Sequence, residues 1–117
     1  MKGFGKESQS KKKSEKNKYH NPSKEQIINQ ALKFHSQGNI SEATKLYQYF
    51  INQGFIDHKV FSNYGAILQD LGQLKEAESS IRKAIELKPS YAGAAWNLYG
   101  LANTIEEAEE RINQCLK

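Results

Sequence analysis

The sequence lacks the patterns that mark β-sheets, disulfides and membrane spans. Its 117 residues include two prolines, one tryptophan and one cysteine. The single cysteine, Cys115, excludes an internal disulfide, which is usual for proteins of a reducing cytoplasm. No run approaches the ~18 apolar residues of a membrane-spanning helix, and no apolar signal segment follows Met1. No stretch alternates apolar and polar residues as a half-buried strand does, so we expect one helical domain. The single cysteine favours a location in the cytoplasm.

Patterns typical of catalytic and metal sites are also missing from the sequence. There is no glycine-rich phosphate loop and no Gly-x-Ser-x-Gly nucleophile motif. No two of the three histidines, His20, His35 and His58, are spaced four residues apart, as two metal ligands on one helix face would be. Cys115 falls on the apolar side of a predicted helix, so we expect a small core residue and not a nucleophile. We therefore expect a protein that is not an enzyme and that binds no cofactor or metal ion.

The positive charge is concentrated at the start of the chain. The formal net charge is +4, yet residues 1–20 hold seven lysines and two glutamates, so the remainder is close to neutral. A segment with so little apolar surface cannot offset the entropy that it would lose on ordering. We therefore expect residues 1–22 to be a disordered, Lys-rich tail. This tail is either a solubilising segment or an electrostatic tether to nucleic acid or an anionic surface.

The most strongly patterned stretch runs from His58 to Tyr91 and divides into two predicted helices. Apolar residues at steps of three and four mark the first helix, at Phe61, Tyr64, Leu68 and Leu71, and the second, at Leu74, Ala77, Ile81, Ala84, Ile85 and Leu87. Gly72 is predicted to end the first helix and Pro89 prevents continuation of the second. Small residues allow two helices to approach closely, so we expect Gly65 and Ala77 to touch.

The same pattern recurs with a period of 34 residues. The pairs that share this phase are Ala31 and Gly65, Gly38 and Gly72, Ala43 and Ala77, and Tyr47 and Ile81. Asparagine recurs at the same interval in an asparagine ladder of Asn29, Asn63 and Asn97. Such a period indicates a solenoid of stacked helical units. The sequence resembles the tetratricopeptide repeat (TPR), through Phe61-x-x-Tyr64-Gly65-x-x-Leu68, Ala77-x-x-x-Ile81 and Pro89.

The resemblance implies an all-α, TPR-like solenoid of three antiparallel helix pairs, about six helices, behind the tail. It covers residues 23–117, with repeats at about 24–57, 58–91 and 92–117. The third repeat is shortened, because Ala108 comes three residues before the position that Ala77 implies. We therefore predict two helices at about 91–102 and 105–116, separated by a turn at Asn103-Thr104.

The first repeat has clear helix signals but departs from the family where it meets the second. Ser23 and Gln26 form a capping-box pattern at the start of the first helix. The two helices of this repeat are predicted at about 24–37 and 41–53. Phe50 stands where the family has a small residue. Phe50 and Phe55 together are predicted either to widen the junction between the first two repeats or to make the first repeat cap-like.

In TPR folds the first helices of successive repeats line a concave face, and the resemblance implies that the asparagine ladder points into it. An asparagine side chain both donates and accepts hydrogen bonds, so a row of them suits the backbone of an extended peptide. The residues predicted to form this peptide-binding face are Asn29, Asn63, Asn97, Ile28, Leu32, Lys59, Ser62, Ala66, Gln69, Asp70 and Trp96. Two alternatives stay open. The asparagines either stabilise helix packing or recur by duplication, and Trp96 is a core residue instead of a binding anchor.

The resemblance implies a non-catalytic scaffold that binds an extended segment of another protein. One alternative is an N-terminal module detached from a longer transferase-type enzyme, because similar repeats often precede transferase domains. Another is a tether that acts through the Lys-rich tail. The last helix, whose apolar edge includes Ile112 and Leu116, either closes the array by itself or stacks through this edge on a second copy, as weak self-association, or on another protein.

Overall fold

The computed structural model describes residues 22–116, and all regular structure in this part of the chain is helical. Its helices are α1 (Lys24–Ser36), α2 (Ile40–Asn52), α3 (His58–Asp70), α4 (Leu74–Leu87) and α5 (Ala92–Leu116). α1 packs against α2 and α3 against α4 as antiparallel hairpins, and α5 lies against α3 and α4. The expected all-α fold of paired helices is therefore confirmed. The predicted tail lies outside the described residues, apart from Pro22.

Side-chain caps fix the starts of α1 and α3. Ser23 Oγ accepts a hydrogen bond from the backbone N–H of Gln26 at 3.2 Å, and Gln26 Oε1 accepts one from the N–H of Ser23 at 2.8 Å. The predicted capping box is confirmed. Oδ1 of Asp57 accepts from the N–H groups of Lys59 at 2.8 Å and Val60 at 3.3 Å. These bonds pair N–H groups that the first turn of a helix leaves without a partner.

Glycine sets the turns that end α1, α2 and α3. The backbone of Gly72 has a φ angle of 81°, in the left-handed region that favours glycine. Across this turn the N–H of Gln73 donates to the carbonyl of Leu68 at 2.9 Å, which closes the C-terminus of α3. Gly38 and Gly54 adopt the same conformation, with φ angles of 78° and 85°. The end predicted for α3 at Gly72 is confirmed.

Close contact between α3 and α4 depends on a glycine in the middle of α3. A Cβ atom built on Gly65 would lie 3.2 Å from the carbonyl oxygen of Ala77 and 2.5 Å from Cγ1 of Ile81. Both of these neighbours are fully buried. The predicted contact between Gly65 and Ala77 is confirmed, and it leaves no space for a side chain at position 65.

Two apolar clusters hold the helices together. The first joins α1 and α2 to α3 through the buried residues Ile27, Ile28, Ala31, Ala43, Tyr47, Phe50, Val60 and Ile67. The second joins α3, α4 and α5 through Leu68, Ala77, Ile81 and Leu101. Tyr64 packs against both clusters and so connects them. Burial of a side chain such as Ile81 stabilises the fold by about 1.5–3 kcal/mol.

The third unit differs from the prediction because α5 is one continuous helix of 25 residues. The prediction of two helices at about 91–102 and 105–116 was wrong, so residues 22–116 contain five helices and not six. Neither Asn103 nor Thr104 is a glycine or a proline, and nothing at this point forces a helix to stop. Thr104 fits within the helix by donating its hydroxyl to the carbonyl of Gly100 at 3.0 Å.

The second half of α5 extends past its neighbours. Every side chain from Glu109 to Leu116 is exposed. This stretch includes Cys115, and the prediction that Cys115 is a core residue was wrong because the helix carries it beyond the hairpins. No helix within the described residues combines the length and the apolar character that a membrane span needs.

Candidate peptide-binding surface

A hydrogen-bonded network connects α1, α2 and α3 beside the middle member of the asparagine ladder. The hydroxyl of Tyr47, on α2, is hydrogen-bonded to Nδ1 of His35, on α1, at 2.9 Å. The same hydroxyl accepts a hydrogen bond from Nδ2 of Asn63, on α3, at 3.3 Å. The rings of His35 and Tyr47 also meet edge to face, with centroids 5.8 Å apart. The network therefore fixes the orientation of the Asn63 carboxamide.

Burial controls the ionisation of the tyrosine in this network. The side chain of Tyr47 is fully buried. Burial raises the pKa of the Tyr47 hydroxyl above its ordinary value of 10.0, and the hydrogen bond from Asn63 lowers it by less. The hydroxyl thus stays protonated at neutral pH, so it can donate one hydrogen bond and accept another.

The third member of the ladder also bonds to the helix before it. Nδ2 of Asn97, on α5, donates to Oγ of Ser62 at 2.9 Å and to the carbonyl of Ser62 at 3.2 Å. Asn63 and Asn97 therefore each make a contact between helices, as the packing interpretation of the ladder expected. Asn29, on α1, is exposed.

The other predicted site residues divide between the surface and the interior. Ile28 and Ser62 are buried, with exposed fractions of 8% and 1%, so they are not available to a ligand. Lys59 and Asp70 are exposed, whereas the half-buried residues are Leu32, Ala66 and Gln69. The side-chain amide of Gln69 donates to Oγ1 of Thr104 at 2.9 Å, which joins α3 to α5.

Four of these residues form a single line along α3. Lys59, Asn63, Ala66 and Asp70 follow one another at steps of four, three and four residues, which places them on one face of the helix. We call this line the α3 stripe. A positive charge lies at one end, a negative charge at the other, and the oriented carboxamide of Asn63 lies between them.

The second hairpin corresponds to a known repeat. Residues 58–91 match the family model of the tetratricopeptide repeat. One tetratricopeptide repeat therefore spans α3 and α4. The match covers this repeat and does not establish three. No curated protein matches the chain, and no solved structure does.

A cavity that was not predicted lies at the junction of the first hairpin with the TPR. Its volume is about 590 Å³. Apolar and aromatic side chains from α2 and α3 line one side of it, and polar and charged side chains from α4 line the other. The lining is Ile51, Phe61, Tyr64, Leu68, Glu76, Ser79, Ser80, Arg82, Lys83 and Glu86. Phe50, which was predicted to widen this junction, is fully buried and packs against Phe55 with ring centroids 5.4 Å apart. Neither Phe50 nor Phe55 lines the cavity, so the predicted effect of these two residues gave no indication of it.

The two histidines of the described residues, His35 and His58, each pack against a tyrosine ring. Among residues 22–116 no three His, Cys, Asp or Glu side chains come together as a metal site would need. His58, at the start of the TPR, packs edge to face on Tyr91, with ring centroids 4.8 Å apart. His35 is occupied by its hydrogen bond to Tyr47. Each of these two histidines thus has a packing partner from another helix or turn.

Proposed function

We propose that this chain is a non-catalytic protein-interaction module that binds an extended segment of another protein along the α3 stripe. The TPR at residues 58–91 supports a protein-interaction role. A fold alone does not determine function, so the proposal depends on the chemistry of this surface. The observation that carries it is the anchored carboxamide of Asn63 between the charges of Lys59 and Asp70.

The anchored carboxamide suits an extended backbone. One N–H of Asn63 is held by Tyr47, so the side chain has already lost the rotational freedom that binding would remove. This preorganisation reduces the entropic cost of binding. The carbonyl oxygen and the second N–H of the carboxamide can pair with the N–H and C=O of a peptide unit. Recognition of backbone groups makes little demand on the peptide sequence.

The charges at the two ends of the α3 stripe define the direction of the peptide. Lys59 and Asp70 are 11 residues apart, which is about 16 Å along a helix at 1.5 Å per residue. An extended chain covers this distance in about five residues at roughly 3.3 Å each. The preferred ligand therefore has an acidic residue near Lys59 and a basic residue about five positions away, near Asp70. Half-buried Leu32 and exposed Asn29, on α1, provide the neighbouring contacts.

Selection from an unbiased library of displayed peptides, followed by fluorescence anisotropy, tests the proposal. Selected peptides should share the acidic and basic residues at this spacing. Because exposed ion pairs contribute about 0.2–1 kcal/mol, Lys59→Ala should weaken binding by up to roughly fivefold. Lys75→Ala, which removes an exposed lysine from α4, is the matched control and should leave the affinity unchanged.

Two variants of the anchored carboxamide test the central contact. Asn63→Ala removes the hydrogen bonds to the peptide and should weaken binding by about twofold to tenfold. Tyr47→Phe leaves the α3 stripe intact but frees the carboxamide, so it should weaken binding in the same direction. Circular dichroism must show that both variants remain helical. If the selected peptides bind the Lys59, Asn63 and Tyr47 variants as tightly as the wild type, the proposal is refuted. The junction cavity then becomes the next candidate site.

A further inference from the structure

The 34-residue phase explains why two large aromatic side chains are exposed on α5. Ser62 and Gly65 are buried on α3, where Ser62 contacts Asn97 and Gly65 contacts α4. The positions 34 residues later are Trp96 and Tyr99, which are 73% and 62% exposed. Helices cover this face of α3, but no helix within residues 22–116 covers the equivalent face of α5.

The uncovered side of α5 is a compact apolar patch. We call it the open face and define it by four exposed residues, Ala95, Trp96, Tyr99 and Ala102. The rings of Trp96 and Tyr99 stack with centroids 6.0 Å apart and an interplanar angle of 26°. Large aromatic side chains each bury about 150–250 Å² when they are covered, and they dominate the binding energy of protein interfaces.

Charges of opposite sign flank the open face. Glu106 and Glu110 follow Ala102 at steps of four residues and so continue the same side of the helix. Lys88 is exposed in the turn before α5. The N-terminus of a helix is also positive because of its dipole. The patch therefore has a positive end, an apolar centre and a negative end.

We propose that the open face binds a second copy of this chain through an antiparallel pair of α5 helices. A two-fold interface requires a patch that is complementary to itself. With Tyr99 on the two-fold axis, Trp96 meets the small Ala102 of the second copy. The same register places Glu110 opposite Lys88 and Glu106 opposite the start of α5. The acidic ends would repel each other in a parallel pair, which leaves the antiparallel one.

The size of the patch predicts a weak dimer. A stable interface buries about 800 Å² on each protein, and two aromatic side chains supply roughly half of that area. The pair should therefore form in the micromolar range or above and depend on protein concentration. The α3 stripe is not part of the open face, so this inference does not depend on the proposed peptide binding.

Sedimentation equilibrium of the full chain, combined with tryptophan fluorescence, tests the dimer. Trp96 is the one tryptophan in the sequence, so its emission reports directly on this patch. Mass should rise from monomer to dimer as concentration increases, and the emission should shift to the blue over the same range. A monomer at every concentration would overturn the proposal. So would a blue-shifted emission without a change in mass, because another segment of the same chain would then cover the patch.

Charge exchange tests the antiparallel register. Lys88→Glu and Glu110→Lys should each weaken dimerisation roughly threefold or more, since each pair occurs twice in the interface. The double variant restores opposite charges and should recover the wild-type affinity. Lys75→Glu, on an exposed lysine of α4, is the matched control. Trp96→Ala should weaken dimerisation at least about tenfold while leaving helicity unchanged. Failure of the double variant to recover would overturn the register, and an unaffected Trp96→Ala would overturn the interface.

Discussion

Replacing Gly65 with alanine tests the packing that holds the TPR hairpin together. The added Cβ atom would lie 2.5 Å from Cγ1 of Ile81 and 3.2 Å from the carbonyl oxygen of Ala77. Carbon atoms are in favourable contact at about 3.5–4.0 Å, so α3 and α4 must separate by roughly an ångström. Ile81 is fully buried and cannot turn away. Overpacking of this kind costs about 1–3 kcal/mol.

Helix propensity acts in the opposite direction and sets the net effect. Alanine is favoured over glycine within a helix by about 0.5–1 kcal/mol. The free energy of unfolding of Gly65→Ala should therefore fall by roughly 0.5–2 kcal/mol. Gly100→Ala is the matched control, because the nearest atom to its new Cβ is Nε2 of Gln69 at 3.9 Å. This variant gains helix propensity without overpacking and should be stabilised by about 0.5–1 kcal/mol.

Urea denaturation followed by circular dichroism measures both variants. The midpoint should fall for Gly65→Ala and rise for Gly100→Ala. Ile81→Ala removes the two Ile81 atoms nearest to the added Cβ, so the cost of Gly65→Ala should shrink or vanish in that background. If Gly65→Ala raises the midpoint as much as Gly100→Ala does, the close contact of α3 and α4 is refuted.

Three further substitutions test the caps, the turns and the buried network. Ser23→Ala removes the capping box of α1 and should lower the free energy of unfolding by about 1 kcal/mol; an unchanged urea midpoint would contradict it. Gly72→Ala, at a φ angle of 81°, should cost about 1–2 kcal/mol, and more than Gly72→Asn in the same assay. Because burial raises the folded pKa of Tyr47 above 10.0, its stabilising effect is complete below that pH and is lost as pH rises through the folded pKa. Tyr47→Phe should lack this alkaline loss, and parallel pH profiles for the two proteins would contradict the assignment.

The α3–α4 hairpin was predictable because its signals are local. Gly72 ends α3 with a backbone conformation that glycine favours, and the small Gly65 allows α4 to approach. The turn expected at Asn103-Thr104 had no such signal. It was inferred because Ala108 comes three residues before the position that the 34-residue repeat implies. The repeat spacing alone does not determine where a helix ends. Without a glycine or a proline, α5 keeps its helical hydrogen bonds through this segment.

The sequence predicted which residues of the candidate site share a repeat position, but not their burial or their hydrogen-bond partners. The 34-residue phase gave Asn63 the same register as Asn29 and Asn97, yet its bond to Tyr47 joins residues 16 positions apart and required the packed structure. Ser62 and Trp96 occupy the same register position, but one is buried and the other is exposed. The difference comes from which helices follow in space, and a periodic pattern does not contain that information.

Backbone amide shifts, measured by NMR on the ¹⁵N-labelled full chain during titration with a selected peptide, test peptide binding along the α3 stripe most directly. The account predicts that the largest shifts fall along the stripe, at Lys59, Asn63, Ala66 and Asp70, with smaller ones at Asn29. Shifts concentrated around the junction cavity, at Ile51 and its neighbours, would contradict it.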